Sequence, residues 1–225
     1  MEDRSPPFGV WGLLWQAARD LGLHLASEQM EAFALYGEEL LRWNRRMNLT
    51  GARREAEVVI DHFLASLAFA VAFPQGVPQR LADIGSGAGF PGIPLKIALP
   101  HLQVVLVEAS RKKVSFLRHI CTLLELKGIE PIRGRAEELA SDPAHQQRFD
   151  LCVARAVGRK GFLLKVAGLL LRPGGRLIVS GREKEEGQVP GSSLLAFREV
   201  RKVGLPTPGL ERSLLIWETR GPAGD

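Results

Sequence analysis

Glycines cluster after an acidic residue near the middle of the chain, in the run RLADIGSGAGFPGIP at 80–94. Glycine permits the positive φ of a tight turn, and the absence of a Cβ atom lets a ligand lie against the free N–H groups of a helix N-terminus. The apolar residues before the glycines predict a strand, and those after them predict a helix. The run therefore predicts a nucleotide-binding turn between a strand and a helix. Its candidate ligand contacts are Asp83, Gly85, Gly87, Gly89 and Phe90.

Two carboxylates bear on which nucleotide this turn binds. The segment GAGFPG at 87–92 satisfies G-x-G-x-x-G, the pattern of NAD and flavin proteins. Glu108 ends the next apolar run, QVVLVE at 103–108, where a carboxylate accepts both ribose hydroxyls of either ligand class. Asp83 favours S-adenosylmethionine, because the methionine end of that ligand is cationic and NAD requires no such charge match. An NAD(P)-dependent oxidoreductase and a purely structural glycine turn remain alternatives.

Further candidate contacts follow other predicted strands. In a parallel sheet the ligand binds outside the carboxyl ends of the strands, so residues directly after each strand can reach it. Glu137 could equally be an ordinary acid at a helix start, and Arg155 could bind a carboxylate or a phosphate or lie on the surface. These additional candidates are Ala109, Ser110, Ala136, Glu137 and Arg155.

A basic stretch at 38–54 is the candidate RNA-binding segment. It holds five arginines against two glutamates, in a chain of net charge +5 and pI about 9.6. Guanidinium groups bind phosphates and aromatic rings stack on bases, so this mixture suits RNA, although a cationic helix C-terminus would look the same. The candidate RNA contacts are Trp43, Asn44, Arg45, Arg46, Arg53 and Arg54.

The elements that position these residues follow from apolar periodicity. Two helices are predicted over 8–43, with Ser27 as N-cap of the second, and a third helix over about 55–73. From 80 onward strands alternate with helices, which predicts a parallel sheet with right-handed crossovers. The predicted strands are 80–84, 103–108, 129–133, 149–153 and 175–180, with helices at 92–99, 111–127, 136–140 and 160–171. A final antiparallel hairpin is predicted at 195–203 and 213–219.

The predicted fold class is therefore α/β: a doubly wound, seven-stranded, mostly parallel Rossmann-like sheet with an N-terminal helical extension. The prolines at 74 and 78 mark a boundary between an extension at 1–75 and a nucleotide-binding domain at 76–225.

The cysteines and the apolar runs indicate a protein without a metal site, a signal peptide or a membrane span. Cys121 and Cys152 lie in apolar runs and match no metal spacing, which indicates reduced thiols and no metal site. The N-terminus does not read as a signal peptide, and the uncharged run at 63–77 is shorter than a bilayer span. We expect a monomeric cytoplasmic protein that does not enter membranes.

Six segments together resemble the RsmG family, also called the glucose-inhibited division protein B group. They are LLRWNRRMNLT at 40–50, HFLASLA at 62–68, LADIGSGAGFPGIPLKIALP at 81–100, LVEASRKKVSFLRHI at 106–120, RAEE at 135–138 and ARAV at 154–157. The resemblance implies transfer of a methyl group from S-adenosylmethionine to N7 of a guanine in bacterial small-subunit (16S) ribosomal RNA. It places the cofactor contacts at Gly85, Phe90, Glu108, Ala136, Glu137 and Arg155.

Two positions depart from the family pattern. Ala65 stands where the family usually has an aspartate after its histidine, here His62, and Ser180 stands where it usually has a lysine. Guanine N7 carries no proton, so the chemistry implied by the resemblance needs no general base, and Arg155 is assigned to positioning. A non-catalytic RNA-binding protein on the same fold is a further alternative.

Overall fold

The computed structural model describes residues 9–74, 79–155, 160–181, 194–206 and 211–220. The N-terminal part holds α1 at Val10–Asp20, α2 at Ser27–Met47 and a continuous helical run at 55–72, here α3. The run α3 changes type along its length and includes a π-helical segment at Val58–Leu64. The three predicted N-terminal helices are confirmed.

The predicted N-cap of α2 is wrong by one residue. Ala26 has the extended backbone of an N-cap, and Ser27 is already the first helical residue. The side chain of Gln29, at the third helical position, reaches back to this residue, because its Oε1 accepts a hydrogen bond of 2.8 Å from the Ala26 N–H. A small apolar residue therefore tolerates the N-cap position here.

Seven strands form one sheet in the order β3-β2-β1-β4-β5-β7-β6. The strands are β1 Arg80–Ile84, β2 Gln103–Glu108, β3 Ile129–Arg133, β4 Phe149–Ala154, β5 Leu171–Gly181, β6 Leu195–Gly204 and β7 Glu211–Thr219. The first five pair in parallel, and β6 and β7 form an antiparallel hairpin whose β7 joins β5. The predicted mostly parallel, seven-stranded α/β sheet with an edge hairpin is confirmed.

Four helices connect the parallel strands. They are α4 Gly92–Ala98, α5 Arg111–Leu123, α6 Ala136–Ser141 and α7 Lys160–Leu170. Helix α5 ends before the predicted residue 127 because Glu125 adopts a left-handed backbone, with φ of 50°, and the chain reverses there. Chain order along the sheet changes direction between β1 and β4, so the binding crevice of the fold opens at their carboxyl ends.

Alternate residues of the strands face two separate cores. On one face Leu81 and Leu106 share a core with Phe33 and Phe63 of the N-terminal helices. On the other face the strands pack against α6 and α7. On the first face the N-terminal helices pack together with α4 and α5, which places α2 and α3 beside the carboxyl edge of the sheet. The division into 1–75 and 76–225 stays a prediction.

Candidate functional site

The glycines of the turn after β1 divide into two pairs. Gly85 and Gly87 have φ of 73° and 61°, and a Cβ added to either would meet no protein atom closer than 3.9 Å. At Gly89 an added Cβ would lie 2.6 Å from the Tyr36 hydroxyl, and at Gly92 it would lie 2.8 Å from Oδ2 of Asp83. The first pair therefore leaves open space for a ligand, and the second pair permits close packing.

Phe90 points into the protein. Its side chain is 7% exposed and stacks on the Tyr36 ring at 5.5 Å and on the His62 ring at 4.5 Å. Tyr36 in turn donates a hydrogen bond of 2.5 Å to the carbonyl of Ala88. Any ligand contact by Phe90 would thus come from its backbone, and the aromatic contacts hold the turn against α2 and α3.

Asp83 is a fully buried carboxylate that hydrogen-bonds through one of its two oxygens. Its Oδ2 accepts a hydrogen bond of 2.8 Å from the Gly92 N–H at the start of α4. Its Oδ1 is buried and has no hydrogen-bond partner among the described residues. Burial raises the pKa of Asp83 from 3.8 to about 7, against the opposing effect of the Gly92 bond. A cationic group close to this carboxylate would favour its charged form.

Asp83→Asn is expected to change how the free energy of unfolding of the cofactor-free protein depends on pH. The unfolded chain loses the Asp83 proton near its ordinary pKa of 3.8, whereas the folded chain keeps it to about pH 7. The stabilisation from this group is complete below pH 4 and is lost as pH rises to 7, by at most about 4 kcal/mol. Denaturant unfolding of both proteins between pH 4 and 8 measures the difference. A constant difference across that range would contradict a buried, protonated carboxyl group.

Glu108 ties the end of β2 to the glycine turn. Its Oε2 accepts a hydrogen bond of 3.0 Å from the Gly87 N–H, and its Oε1 accepts one of 2.8 Å from the Ser110 N–H. Carboxylate oxygens have lone pairs for further donors, so these bonds are compatible with ribose hydroxyls. Ala109 is exposed and Ser110 is half-buried beside them. The arrangement fixes the carboxylate at the crevice between β1 and β2.

The start of α6 carries two exposed acids, of which one caps the helix. Glu138 caps this helix, because its Oε2 accepts a hydrogen bond of 3.0 Å from the Arg135 N–H. Glu137 is exposed and lies 3.9 Å from the Arg135 guanidinium, and Ala136 is half-buried against the core below. Glu137 is therefore not needed as a cap and its carboxylate is accessible at the carboxyl edge of β3.

Arg155 follows β4 and lies over the ring of Phe90, 5.5 Å from its centroid. Its Nη2 is 2.9 Å from Nδ1 of His62, and Nε2 of His62 is 2.5 Å from Oγ1 of Thr50. Burial, assisted by the charge of Arg155, lowers the pKa of His62 from 6.5 to about 4. Thr50 was missing from the sequence-based candidates. The motif LLRWNRRMNLT contains it, but no local pattern signals its partner.

The basic stretch at 38–54 contains exposed arginines and one buried asparagine that holds the neighbouring loop in place. Arg45 and Arg46 are exposed and form no ion pair with another described residue, while Arg54 pairs with Glu57 at 2.6 Å. Asn44 is 4% exposed, and its amide bonds the backbone of Thr50 and Ala52 at 2.7–3.0 Å. Because all its polar atoms bond within the protein, Asn44 braces this loop, and we leave it out of the proposed RNA contacts.

A groove of about 660 Å³ runs beside the last turns of α2. Among the described residues it is lined by Arg42, Trp43, Arg45, Arg46 and Met47. Trp43 stacks on His119 of α5 at 5.0 Å, so its ring has a fixed orientation at the groove. Arginines beside a held aromatic ring can bind phosphates and stack on bases.

The described ranges contain neither a membrane-spanning helix nor a cluster of metal ligands. No helix in them is long and apolar enough to cross a membrane. The same part of the chain holds no group of three or more His, Cys, Asp or Glu side chains placed to bind a metal ion.

Comparisons with known proteins identify the family of this chain. A family model described as rRNA small subunit methyltransferase G matches residues 29–214. A protein of Roseiflexus castenholzii named Ribosomal RNA small subunit methyltransferase G is 46% identical over 165 residues, which are 73% of this chain and 70% of the relative. A protein of the same name from Desulfitobacterium hafniense is 40% identical over 204 residues, which are 88% of this chain and 84% of the relative.

Solved structures of other proteins share the fold of this chain. A structure described as a predicted O-methyltransferase, protein Atu636 from Agrobacterium tumefaciens, superposes with a TM-score of 0.57 at 19% identity, covering 69% of this chain and 80% of that one. At this identity the match supports the sheet architecture alone. The oxidoreductase and the non-catalytic interpretations are not favoured by any of these relatives. The chain belongs to the rRNA small subunit methyltransferase G family.

Proposed function

We propose that this protein transfers a methyl group from S-adenosylmethionine to N7 of a guanine in small-subunit (16S) ribosomal RNA. The observation that carries the cofactor assignment is the buried Oδ1 of Asp83, which lacks a partner among the described residues. Asp83 precedes Gly85 and Gly87 in the chain, and at both glycines an added side chain would meet open space. The cationic methionine end of S-adenosylmethionine would supply a positive charge close to this carboxylate. Family membership supports the reaction and the RNA substrate.

Each candidate side chain has a part in holding the cofactor. Asp83 would bind the cationic methionine end, and Glu108 would accept hydrogen bonds from the ribose hydroxyls. Ala136 and Glu137 would bracket the adenine edge at the end of β3. When bound, the cofactor supplies an electrophilic methyl group on a sulfonium sulfur.

No group of the protein has to remove a proton from the acceptor nitrogen, because guanine N7 reacts through a lone pair. The protein therefore contributes by orienting the guanine relative to the methyl donor and by placing charged groups beside the reacting atoms. Arg155, at the switch point of the sheet and above Phe90, is the residue we assign to positioning. Since ribosomal RNA is the proposed substrate, we further propose a cytoplasmic protein acting as a monomer.

The experiment that tests this function has two arms. In the first, S-adenosylmethionine and NADH are each added to the protein at about 100 times a micromolar dissociation constant. The true ligand should stabilise the fold by about 2.7 kcal/mol, and the other should not. In the second, labelled S-adenosylmethionine is offered with ribosomal RNA from cells that lack this protein. Label at N7 of one guanine is the expected result, and label on another atom or none would overturn the proposal.

Arg45→Ala combined with Arg46→Ala is expected to weaken RNA binding and flatten its dependence on salt. Each arginine that contacts a phosphate contributes about 0.7–0.9 to the slope of log K against log salt concentration, so the slope should fall by about one to two. Affinity for S-adenosylmethionine should not change, since neither side chain is near the glycine turn. Filter binding or anisotropy at several salt concentrations measures both the affinity and the slope.

The matched control is Arg80→Ala combined with Arg148→Ala. It removes the same two charges from exposed positions at the amino ends of β1 and β4, away from the crevice. This variant should keep the wild-type slope. If the two double variants behave alike, the loss reflects net charge, and the groove beside α2 is not the RNA surface.

A further inference from the structure

Three groups from distant parts of the chain surround the imidazole of His62. Phe90 of the glycine turn stacks on one face, with the two rings 13° from parallel. Arg155 after β4 contacts Nδ1 at 2.9 Å, and Thr50 in the loop after α2 contacts Nε2 at 2.5 Å. His62 itself lies in the π-helical segment of α3, a geometry that recurs at functional sites. One ring thus joins the cofactor turn, the switch-point strand and the basic loop.

The chemistry of the neighbours determines the tautomer of this histidine. A guanidinium group has donors only, so Nδ1 must present its lone pair to Arg155. The proton of the neutral ring is therefore on Nε2, where it is donated to the hydroxyl oxygen of Thr50. Burial supports the neutral form by lowering the pKa of His62 to about 4. Protonation at Nδ1 would turn an acceptor into a second donor facing a cation.

We propose that His62 is a positioning residue for methyl transfer, which holds the guanidinium of Arg155 over Phe90 through the lone pair of Nδ1. This rests on the proposed function, in which Arg155 acts at the cofactor crevice. Thr50 acts one step further away, because its hydroxyl keeps the proton on Nε2 and leaves Nδ1 unprotonated. Ala65 replaces the aspartate that is usual in the family, but His62 does not need that carboxylate. Both of its ring nitrogens already have other hydrogen-bond partners.

A histidine that only filled space would need no hydrogen-bond partner for either ring nitrogen. Phenylalanine would stack on Phe90 equally well and would cost less to bury. A long arginine side chain, by contrast, depends on its acceptors for orientation, and Nδ1 at 2.9 Å is closer to the Arg155 guanidinium than the His62 carbonyl at 3.5 Å. The use of both ring nitrogens by partners from separate segments therefore indicates a role in orienting Arg155.

The test compares His62→Phe, which keeps the stacking ring, with His62→Asn, whose amide oxygen can replace Nδ1 as acceptor. Each is made in the wild-type chain and in Arg155→Gln, and His101→Phe, at an exposed turn before β2, is the control. Single-turnover methylation at saturating S-adenosylmethionine, the dissociation constant of that cofactor without RNA, and the melting temperature are measured.

His62→Phe should lower the single-turnover rate about ten- to a hundredfold, the effect of one hydrogen bond to a charged group. His62→Asn should recover part of that rate. In the Arg155→Gln background His62→Phe should cost less than about twofold further, since the guanidinium that Nδ1 orients is then absent. An equal loss in both backgrounds, following the melting temperature, would show a packing role and overturn the proposal.

A measurement on the unaltered protein tests the same inference if His62→Phe does not fold. Long-range ¹⁵N NMR should find Nε2 protonated and Nδ1 unprotonated at pH 7, with the opposite tautomer or a charged ring overturning the assignment. If the wild type binds S-adenosylmethionine and methylates RNA while all His62 variants match it, only the positioning role fails. If the wild type does neither, the proposed function fails.

Discussion

Gly87→Val is expected to raise the dissociation constant for S-adenosylmethionine by more than about a hundredfold, or about 2.7 kcal/mol. A Cβ at this position meets no protein atom closer than 3.9 Å, so the space that valine would fill is the space proposed for the ligand. A branched side chain also strains the backbone, whose φ is 61°. Isothermal titration of the folded variant measures the loss.

Gly174→Val is the control that separates the filling of ligand space from the strain of the backbone. Gly174 has φ of 75° and no atom within 4 Å of an added Cβ, but it lies near the start of β5, away from the crevice. The two variants should lose comparable stability from backbone strain, and only Gly87→Val should lose cofactor. Normal cofactor affinity in folded Gly87→Val would show that the turn has a structural role alone.

Glu108→Ala is expected to weaken binding of S-adenosylmethionine by about 1.5–3 kcal/mol, the range for hydrogen bonds to a charged group. The substitution should weaken cofactor binding in a second way, because the Glu108 carboxylate also accepts hydrogen bonds from the N–H groups of Gly87 and Ser110. Without these bonds the glycine turn is less rigid before the ligand arrives. Equilibrium dialysis with the labelled cofactor measures the change.

Glu108→Gln and Glu130→Ala complete this experiment. The glutamine keeps an oxygen acceptor and the shape of the side chain but not the charge, so an intermediate loss is expected. Glu130 is exposed on the adjacent strand β3, and its replacement should leave binding unchanged. Wild-type affinity in folded Glu108→Ala would refute the ribose assignment.

The order of elements and the place of the crevice were predictable from local sequence. Apolar runs of five or six residues between turn signals identify buried parallel strands, and the glycine run identifies the turn after β1. Since the carboxyl ends of parallel strands meet at one edge, Asp83, Glu108 and Arg155 had to lie near one another. Boundaries were less predictable, as Ala26 in place of Ser27 and the early end of α5 show, because single hydrogen bonds decide them.

What each residue of the site contacts was decided by tertiary packing. Gly89 and Phe90 look like ligand contacts in the sequence, yet the fold turns both toward Tyr36, which is more than fifty positions earlier in the chain. His62 and Arg155 are 93 positions apart, and no periodicity relates them. A sequence pattern reports which face of its own helix or strand a residue occupies. Which side chain meets it there depends on how α2 and α3 pack across the sheet, and only the folded chain contains that information.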